Sequence, residues 1–369
     1  MRRELFDIPE GIIYLDGNSL GAPPKHVAER MQEVVKHQWG TRLIRSWSEG
    51  WWEAPQRIGD RIGRLIGAAE GQVVVGDSTS VNVFKALMGA VKGTSRTEIV
   101  VDESTFPTDG YIAQSVGELT GLKVRAVSPS SLDLTEDTAV VLLNHVDYRT
   151  GAMLDMAKLT EEAHSAGTQV VWDLCHSAGV IPIELDELGV DYAVGCTYKF
   201  LNGGPGSPAF IYVPHDKQAS FENPLSGWNG HRAPFAMEPS YEPDAGIARA
   251  RVGTPDILSM LALDAALDVW DDVDLHVLWK CGLSLTAQFR MHVSNLTSLE
   301  IITPDEIPRG NQISVRCPDA AEVIRKLIAR GVIGDHRPPD ILRFGFAPLY
   351  VTSADVRRAA EILAEVVNS

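Results

Sequence analysis

No uninterrupted apolar stretch in this chain approaches the roughly 20 residues of a membrane span, and none follows the basic start Met1-Arg2-Arg3. Neither a membrane partner nor a secretory leader is expected, and the sequence reads as cytoplasmic. Cysteine is scarce: Cys175, Cys196, Cys281 and Cys317 are the four in 369 residues, and no two form a Cys-x-x-Cys pair. That scarcity argues against a disulfide-stapled domain and a zinc site, so no metal is expected. Two of the four fall in apolar runs and read as buried, reduced thiols. Basic charge is in deficit, with 33 Lys and Arg against 49 Asp and Glu, a formal net charge of −16. Such a surface repels phosphate backbones, which argues against nucleic acid as a partner. An anionic small molecule remains possible, because a local arginine outweighs the global field at contact distance. Repeats and low-complexity segments are absent as well.

What the chain has is alternation, with a 44% apolar fraction that suits a soluble core. Apolar runs at Gln72–Gly76, Glu98–Val101, Leu122–Val127, Ala139–Leu143, Gln169–Trp172 and Tyr192–Cys196 read as strands. Val81–Val91 and Met156–Ala166 read as helices between them, the second stopped by Gly167. Nearly continuous apolar strands alternating with helices predict an α/β fold whose mostly parallel sheet is covered on both faces. Ligands of such sheets gather at the carboxyl ends of the strands. The Pro-, Gly- and aromatic-rich segment Pro214–Ile247 interrupts the pattern and is too long for a plain connection. A helix from Asp256 to about Asp271 follows. Beyond it the pattern becomes a small α+β region, ending in a helix from Ser353, its expected N-cap, with Val356, Ala360, Leu363 and Val367 as its apolar stripe.

The chemistry-bearing residues fall at strand ends. One apolar run delivers Asp173 in Asp173-Leu174-Cys175-His176; the next delivers Lys199, 26 positions later, in Thr197-Tyr198-Lys199-Phe200-Leu201-Asn202-Gly203-Gly204. A carboxylate and an amine on neighbouring strand ends suit pyridoxal phosphate: the lysine forms the Schiff base and the carboxylate keeps the pyridine nitrogen protonated. Read singly, Asp173 and His176 could be a turn carboxylate and a core histidine. A buried, unpaired Lys199 is costly and tips the pair toward chemistry. Gly76-Asp77-Ser78-Thr79-Ser80 joins a strand to a helix, either as a dianion site or as an ordinary N-cap. Phe106, fixed by Pro107, either stacks on a heteroaromatic ring or packs before a helix that carries Asp109 in its first turn. Trp228 and Thr254 flank the long loop and could reach a phosphate, or pack an interface and cap a helix. Arg343 could clamp a carboxylate or sit in an ion pair.

Taken together, Tyr14-Leu15-Asp16-Gly17-Asn18-Ser19-Leu20-Gly21, Leu43-Ile44-Arg45-Ser46-Trp47, Phe106-Pro107-Thr108-Asp109-Gly110-Tyr111, Asp173-Leu174-Cys175-His176-Ser177-Ala178-Gly179, the lysine run and Leu342-Arg343-Phe344-Gly345-Phe346 resemble the kynureninase family almost end to end. The resemblance implies the fold-type-I architecture of pyridoxal-phosphate enzymes. An N-terminal segment, 1–40, would pack on a small C-terminal α+β domain, 273–369, beside a large cofactor-binding domain, 41–272. It implies a homodimer with shared active sites. Lys199 would bind the cofactor, Asp173 would meet the pyridine nitrogen, and Phe106 would stack on the ring. Thr79, Ser80, Tyr198, Trp228 and Thr254 would surround the phosphate, the last two from the other subunit. Asp109, Asn144 and His176 match further cofactor contacts. Arg343 matches the position that binds the amino-acid carboxylate, with Asn18 and Ser19 on the substrate side.

The implied activity is hydrolysis of L-kynurenine, or 3-hydroxy-L-kynurenine, to anthranilate and L-alanine in tryptophan catabolism, on the kynurenine route to NAD. Lys199, its pKa held low near the cationic ring, would take the α-proton, and Tyr198 would donate a proton in the second half-reaction. The chain departs from the family at Asn229, where an aromatic residue is usual, which bears on substrate preference. Two alternatives stand beside this reading. One is a related lyase acting on another aryl γ-keto amino acid, or a desulfurase-like enzyme; the latter needs a mobile cysteine that Cys281 and Cys317 suit poorly. The other is a binding domain that keeps the cofactor site without turnover.

Overall fold

The computed structural model describes residues 2–305 and 308–368, so only the end residues of the expected first and last segments, and 306–307, lie outside it. Along the chain run β1 (Ile13–Tyr14), α1 (His26–Glu33), α2 (Ala54–Leu65), β2 (Val73–Val75), α3 (Thr79–Val91), β3 (Glu98–Asp102), α4 (Pro107–Thr120), β4 (Lys123–Val127), β5 (Thr138–Asn144), α5 (Met156–Ser165), β6 (Gln169–Asp173), β7 (Tyr192–Gly195), β8 (Phe210–Tyr212) and α6 (His215–Gln218). Then come α7 (Ile257–Ala266), α8 (Leu275–Val293), β9 (Glu300–Ile301), β10 (Gln312–Arg316), α9 (Ala320–Ala329), β11 (Val332–Ile333), β12 (Asp335–Arg337), β13 (Ile341–Gly345) and α10 (Ser353–Val367).

Seven strands form the large sheet in the order β2-β8-β7-β6-β5-β3-β4. The expected strands pair in parallel through β7-β6-β5-β3-β4; β8 runs antiparallel between β7 and β2. That strand lies between a Gly- and Pro-rich loop and Pro214, and its apolar run is not among the expected strands. Val100, Val141, Val170 and Ala193 face one apolar layer, and Val101, Val140, Val171 and Val194 face the other. Burial on both sides makes these strands read as unbroken apolar runs. In the C-terminal part, four strands in the order β12-β13-β10-β9 form a second, antiparallel sheet backed by α8, α9 and α10.

The long helix expected to about Asp271 stops at Ala266 and tightens into one last turn over Leu267–Trp270. The cap of α10 is Thr352 rather than Ser353: its hydroxyl accepts from Asp355 N while the Asp355 carboxylate accepts from Thr352 N. This reciprocal pairing is a capping box, which a single-residue reading misses by one position.

The N-terminal strap ties the two sheets together. β1 pairs with β11, Asp16 bridges Gly345, and Gly21 N donates to the Tyr198 carbonyl. Gly21 lies so close that a Cβ there would collide with the Lys199 carbonyl and the Asn202 side chain. A bare backbone is required where the strap crosses the lysine loop.

Candidate functional site

The sheet's geometry brings the expected residues to one edge. Asn144 and Asp173 end neighbouring parallel strands in register. Lys199 follows β7, the next strand over. One cleft is lined by Thr79, Ser80, Phe106, Asp109, Asn144, Asp173, His176, Tyr198 and Lys199, together with Tyr148, which the sequence did not single out. Nine of the fourteen named residues thus meet. Trp228 stands apart, against Trp52 and Phe235 with ring centroids at 5.5 and 6.0 Å. Thr254 lines a larger adjoining cavity of about 680 Å³ that shares Thr79 and Tyr198 with the cleft. Asn18, Ser19 and Arg343 lie behind the cleft, in the C-terminal sheet and the strap.

Lys199 Nζ lies 3.0 Å from His176 Nε2. Burial, then the nearby Lys199, Arg343 and Arg337 cations, push the imidazole well below its ordinary value, so it is neutral and accepts from the ammonium. Its other nitrogen, Nδ1, is buried outside close hydrogen-bond geometry, with Gln312 the side chain that favours the charged ring. Burial works to lower the Lys199 pKa, but the Cys196 and Cys175 sulfurs, Tyr198 and Asp173 outweigh it and hold it raised. The low-pKa lysine expected from the sequence is therefore not a property of the bare chain. Burial pushes the Tyr198 hydroxyl up to about 12, and its ring centroid is 5.8 Å from Lys199 Nζ.

Two carboxyls meet beneath this pair. Burial and then the Asp173 charge push Asp109 well above the carboxylate range, and Asp109 shares a hydrogen bond with Asp173. Like charges this close hold one proton between them. Asn144 Nδ2 donates to Asp109 at 2.8 Å, while Asn144 Oδ1 accepts from Thr105 Oγ1 and from Phe106 N. Asp173 Oδ1 accepts from Cys175 N at 2.6 Å. Phe106 begins α4 ahead of Pro107, as expected. Its half-exposed ring meets Tyr148 edge-on at 5.1 Å, so both aromatics form the lip of the cleft. At the far end α3 points its N-terminus into the cleft, capped by Ser78. Thr79 and Ser80 hydroxyls there sit where the helix dipole favours an anion.

This donor set fits pyridoxal phosphate. An amine faces a hydrogen-bonded carboxyl pair, with hydroxyls at a helix N-terminus beyond and an aromatic ring at the lip. His176 Nδ1 is left buried without a close hydrogen bond, a group that a ligand would pair.

Sequence reasoning missed Lys85, Asp16 and Asp335. Lys85 is buried in α3 and donates to Asp77 and the Ala250 carbonyl, joining the turn before Thr79 to the loop that carries Thr254. Asp16 stands beside Ser19, and burial, then Asp335, push its carboxyl up to about 7. Asp335 is bonded to Arg343, Arg337 and Ser19. A buried lysine in an otherwise apolar helix face was the one signal in the letters; the acids of the strap have none.

A family model described as Kynureninase C-terminal domain matches residues 278–363. A kynureninase of Burkholderia pseudomallei is 48% identical over 384 residues, covering 100% of this chain and 92% of its own length. One of Deinococcus radiodurans is 48% identical over 380 residues, with 100% and 93% covered. Among solved structures, a cysteine desulfurase of Escherichia coli superposes with a TM-score of 0.84 at 17% identity, covering 99% of this chain and 97% of that one. The C-DES cystine C–S lyase superposes at 0.87 and 16%, covering 96% and 98%. A C-DES variant with glycine covalently linked to its PLP cofactor gives the same TM-score of 0.87. These structural likenesses establish the fold-type-I architecture.

Proposed function

The chain belongs to the kynureninase family, and from that premise we propose that it hydrolyses L-kynurenine to anthranilate and L-alanine, using pyridoxal phosphate held by Lys199. The observation that carries the reading is the Lys199 amine, hydrogen-bonded to a neutral His176, with Asp173 at the neighbouring strand end and Asp109 beside it from the first turn of α4. When bound, the cofactor supplies an electron sink for the negative charge that develops on the substrate carbon chain. Asp173 would hold the pyridine nitrogen, with Asp109 beside it; Thr79 and Ser80 would hold the phosphate at the head of α3, and Phe106 would hold the ring.

The remaining work falls to protein groups. Arg343 orients the substrate carboxylate, with Asn18 and Ser19 alongside. Lys199 Nζ takes the proton from the substrate α-carbon; because the bare chain holds this amine protonated, the reaction requires the positive charge of the loaded site to free it. Water adds to the γ-carbonyl, the Cβ–Cγ bond breaks, and anthranilate departs. Tyr198, kept as a neutral phenol by its raised pKa, donates a proton to Cβ of the three-carbon fragment, and Lys199 gives its proton back to Cα as the fragment leaves as alanine.

We also read the molecule as a cytoplasmic homodimer. Trp39, Leu43 and Ile44, and across the long loop Phe235 and Met237, present large apolar side chains to solvent, a surface that favours a partner. Trp228 and Thr254 would then serve the other subunit's phosphate. The segment 1–40, the part 41–272 around the large sheet and the part 273–369 around the second sheet are the units we assign. Asn229 is buried, donating to the Gly253 carbonyl at 3.0 Å, with its Oδ1 unpaired among the described residues. An acceptor there suits a hydroxylated aryl ring, so 3-hydroxy-L-kynurenine belongs beside L-kynurenine in the test. The purified, cofactor-loaded protein is given each substrate, and anthranilate or 3-hydroxyanthranilate fluorescence is followed. Formation of either supports hydrolysis, and the ratio ranks the substrates. Cofactor absorbance that shifts with no aryl product would reject the reaction and leave the cofactor site standing.

A further inference from the structure

Arg343 is almost wholly occupied before any substrate arrives. Its side chain is 1% exposed. A guanidinium has five N–H groups in a fixed plane. Nε donates to Asp335 Oδ1 at 2.9 Å, and Nη2 donates to Asp335 Oδ2 and, at 2.7 Å, to Ser19 Oγ. Nη1 donates to the Tyr148 carbonyl at 2.7 Å. Four directions are used, and among the described residues one Nη1 N–H is left. The Nε/Nη2 edge that would seize a carboxylate bidentately is spent on Asp335, and the end-on edge is shared between Ser19 and the Tyr148 carbonyl.

Asp335 is itself tightly held. Ser19 Oγ donates to its Oδ2 at 2.7 Å and Arg337 donates to the same oxygen at 2.8 Å. Burial alone would raise its pKa; the Arg343 bonds and charge, with Ser19 and Arg337, hold it low, so it stays ionised. The cluster borders the cleft through Tyr148, whose carbonyl takes Arg343 and whose ring meets Phe106.

We propose that Asp335 is a positioning residue: as the resident counter-ion of Arg343 it fixes the guanidinium plane and leaves a single Nη1–H for the substrate carboxylate, trading affinity for orientation. The proposal rests on the reading of Arg343 as the carboxylate anchor. A resident anion competes with an incoming one for the same cation, so the carboxylate is held weakly and in one direction. Removing Asp335 leaves Arg343, among the described residues, with two neutral acceptors and only the Asp16 carboxyl nearby; a ligand carboxylate then becomes its one directly bonded counter-ion and binds more tightly, but in more than one pose.

The test uses the cofactor-loaded enzyme, with L-alanine and L-alaninamide as probes and cofactor absorbance as the binding readout. In Asp335→Asn, the Kd of L-alanine should fall at least about fivefold while that of L-alaninamide, which lacks the carboxylate, stays constant. Turnover should drop at least about tenfold, and L-alanine should raise Tm by more than it does in the wild type. Ser19→Ala, which frees one Nη2 direction and keeps the ion pair, should move L-alanine affinity the same way by about twofold; it carries the test if the first variant does not fold. Unchanged L-alanine affinity, or equal weakening of both probes, overturns the proposal. Arg343→Gln separates it from its premise: if that variant still prefers L-alanine over L-alaninamide as the wild type does, Arg343 is not the anchor and the parent reading fails instead.

Discussion

The molecule holds its two key cations in opposite ways. Among the described residues Lys199 makes one side-chain hydrogen bond, to a neutral imidazole nitrogen, and the Cys196 and Cys175 sulfurs, Tyr198 and Asp173 favour its charge without bonding it. Arg343, fully buried, is locked to a full carboxylate, a hydroxyl and a carbonyl. The first arrangement leaves an amine that one hydrogen bond positions and that can exchange partners, as covalent chemistry demands. The second immobilises a charge that must only orient. The contrast follows from where each sits: Lys199 at the open ends of parallel strands, Arg343 inside an antiparallel sheet closed over by the strap.

Breaking the mobile side should cost most. Lys199→Ala is expected to abolish turnover, by at least ~10³-fold for the loss of a general base that also binds cofactor; near-normal anthranilate release would remove Lys199 from the mechanism. Asp173→Asn comes next, because it takes away the charge that Asp109 shares. We expect weaker cofactor retention in dialysis and a roughly 10²-fold loss of kcat; full retention with unchanged kcat would show that the carboxyl pair is structural. Tyr198→Phe should leave KM nearly unchanged and lower kcat by about tenfold to 10²-fold, with the loss confined to alanine formation. An equal loss in single-turnover anthranilate release would place the phenol in the first half instead.

The same contrast explains what could be seen in the letters. Asp173, His176, Tyr198 and Lys199 lie in two contiguous runs, each delivered by an apolar strand, so spacing alone hinted at their meeting. Parallel pairing of β6 with β7 then made the hint geometric. Arg343 and its ring of partners come from residues 16–19, 148 and 335–343, brought together by strand pairing between distant segments. No local period encodes such a cluster; Arg343 was read as either a carboxylate clamp or an ion-pair member, Ser19 was marked only through family resemblance, and Asp16 and Asp335 were not singled out. The antiparallel β8 was missed because its apolar run is wedged between Pro214 and the Gly- and Pro-rich loop after Lys199; β2, equally short, was read from the run around it. Trp228 was legible as an aromatic in a glycine-rich loop, but its place outside the cleft depends on what covers that loop.

Asp16 offers the smallest and most selective test of the immobile side. Burial first, then the Asp335 carboxylate, push its pKa up to about 7; the Ser19 hydrogen bond and the Arg343 and Arg337 charges pull the other way and do not win. A carboxyl whose folded pKa lies above its unfolded value, near 4, binds more protons in the native state between those two values. Its stabilising contribution is complete below about pH 4 and is lost as pH rises through about 7. Asp16→Asn keeps the shape and never ionises, so the two proteins should melt closest together at pH 4, draw apart between pH 4 and pH 7 and stay apart at pH 8, with the variant higher by several °C, at about 1.4 kcal/mol for each pKa unit of the shift. The separation should appear only across the window in which Asp16 ionises. Melting curves that stay together from pH 4 to pH 8 would mean that neither burial nor Asp335 raises Asp16, and the fixed carboxylate at Arg343 would then stand alone.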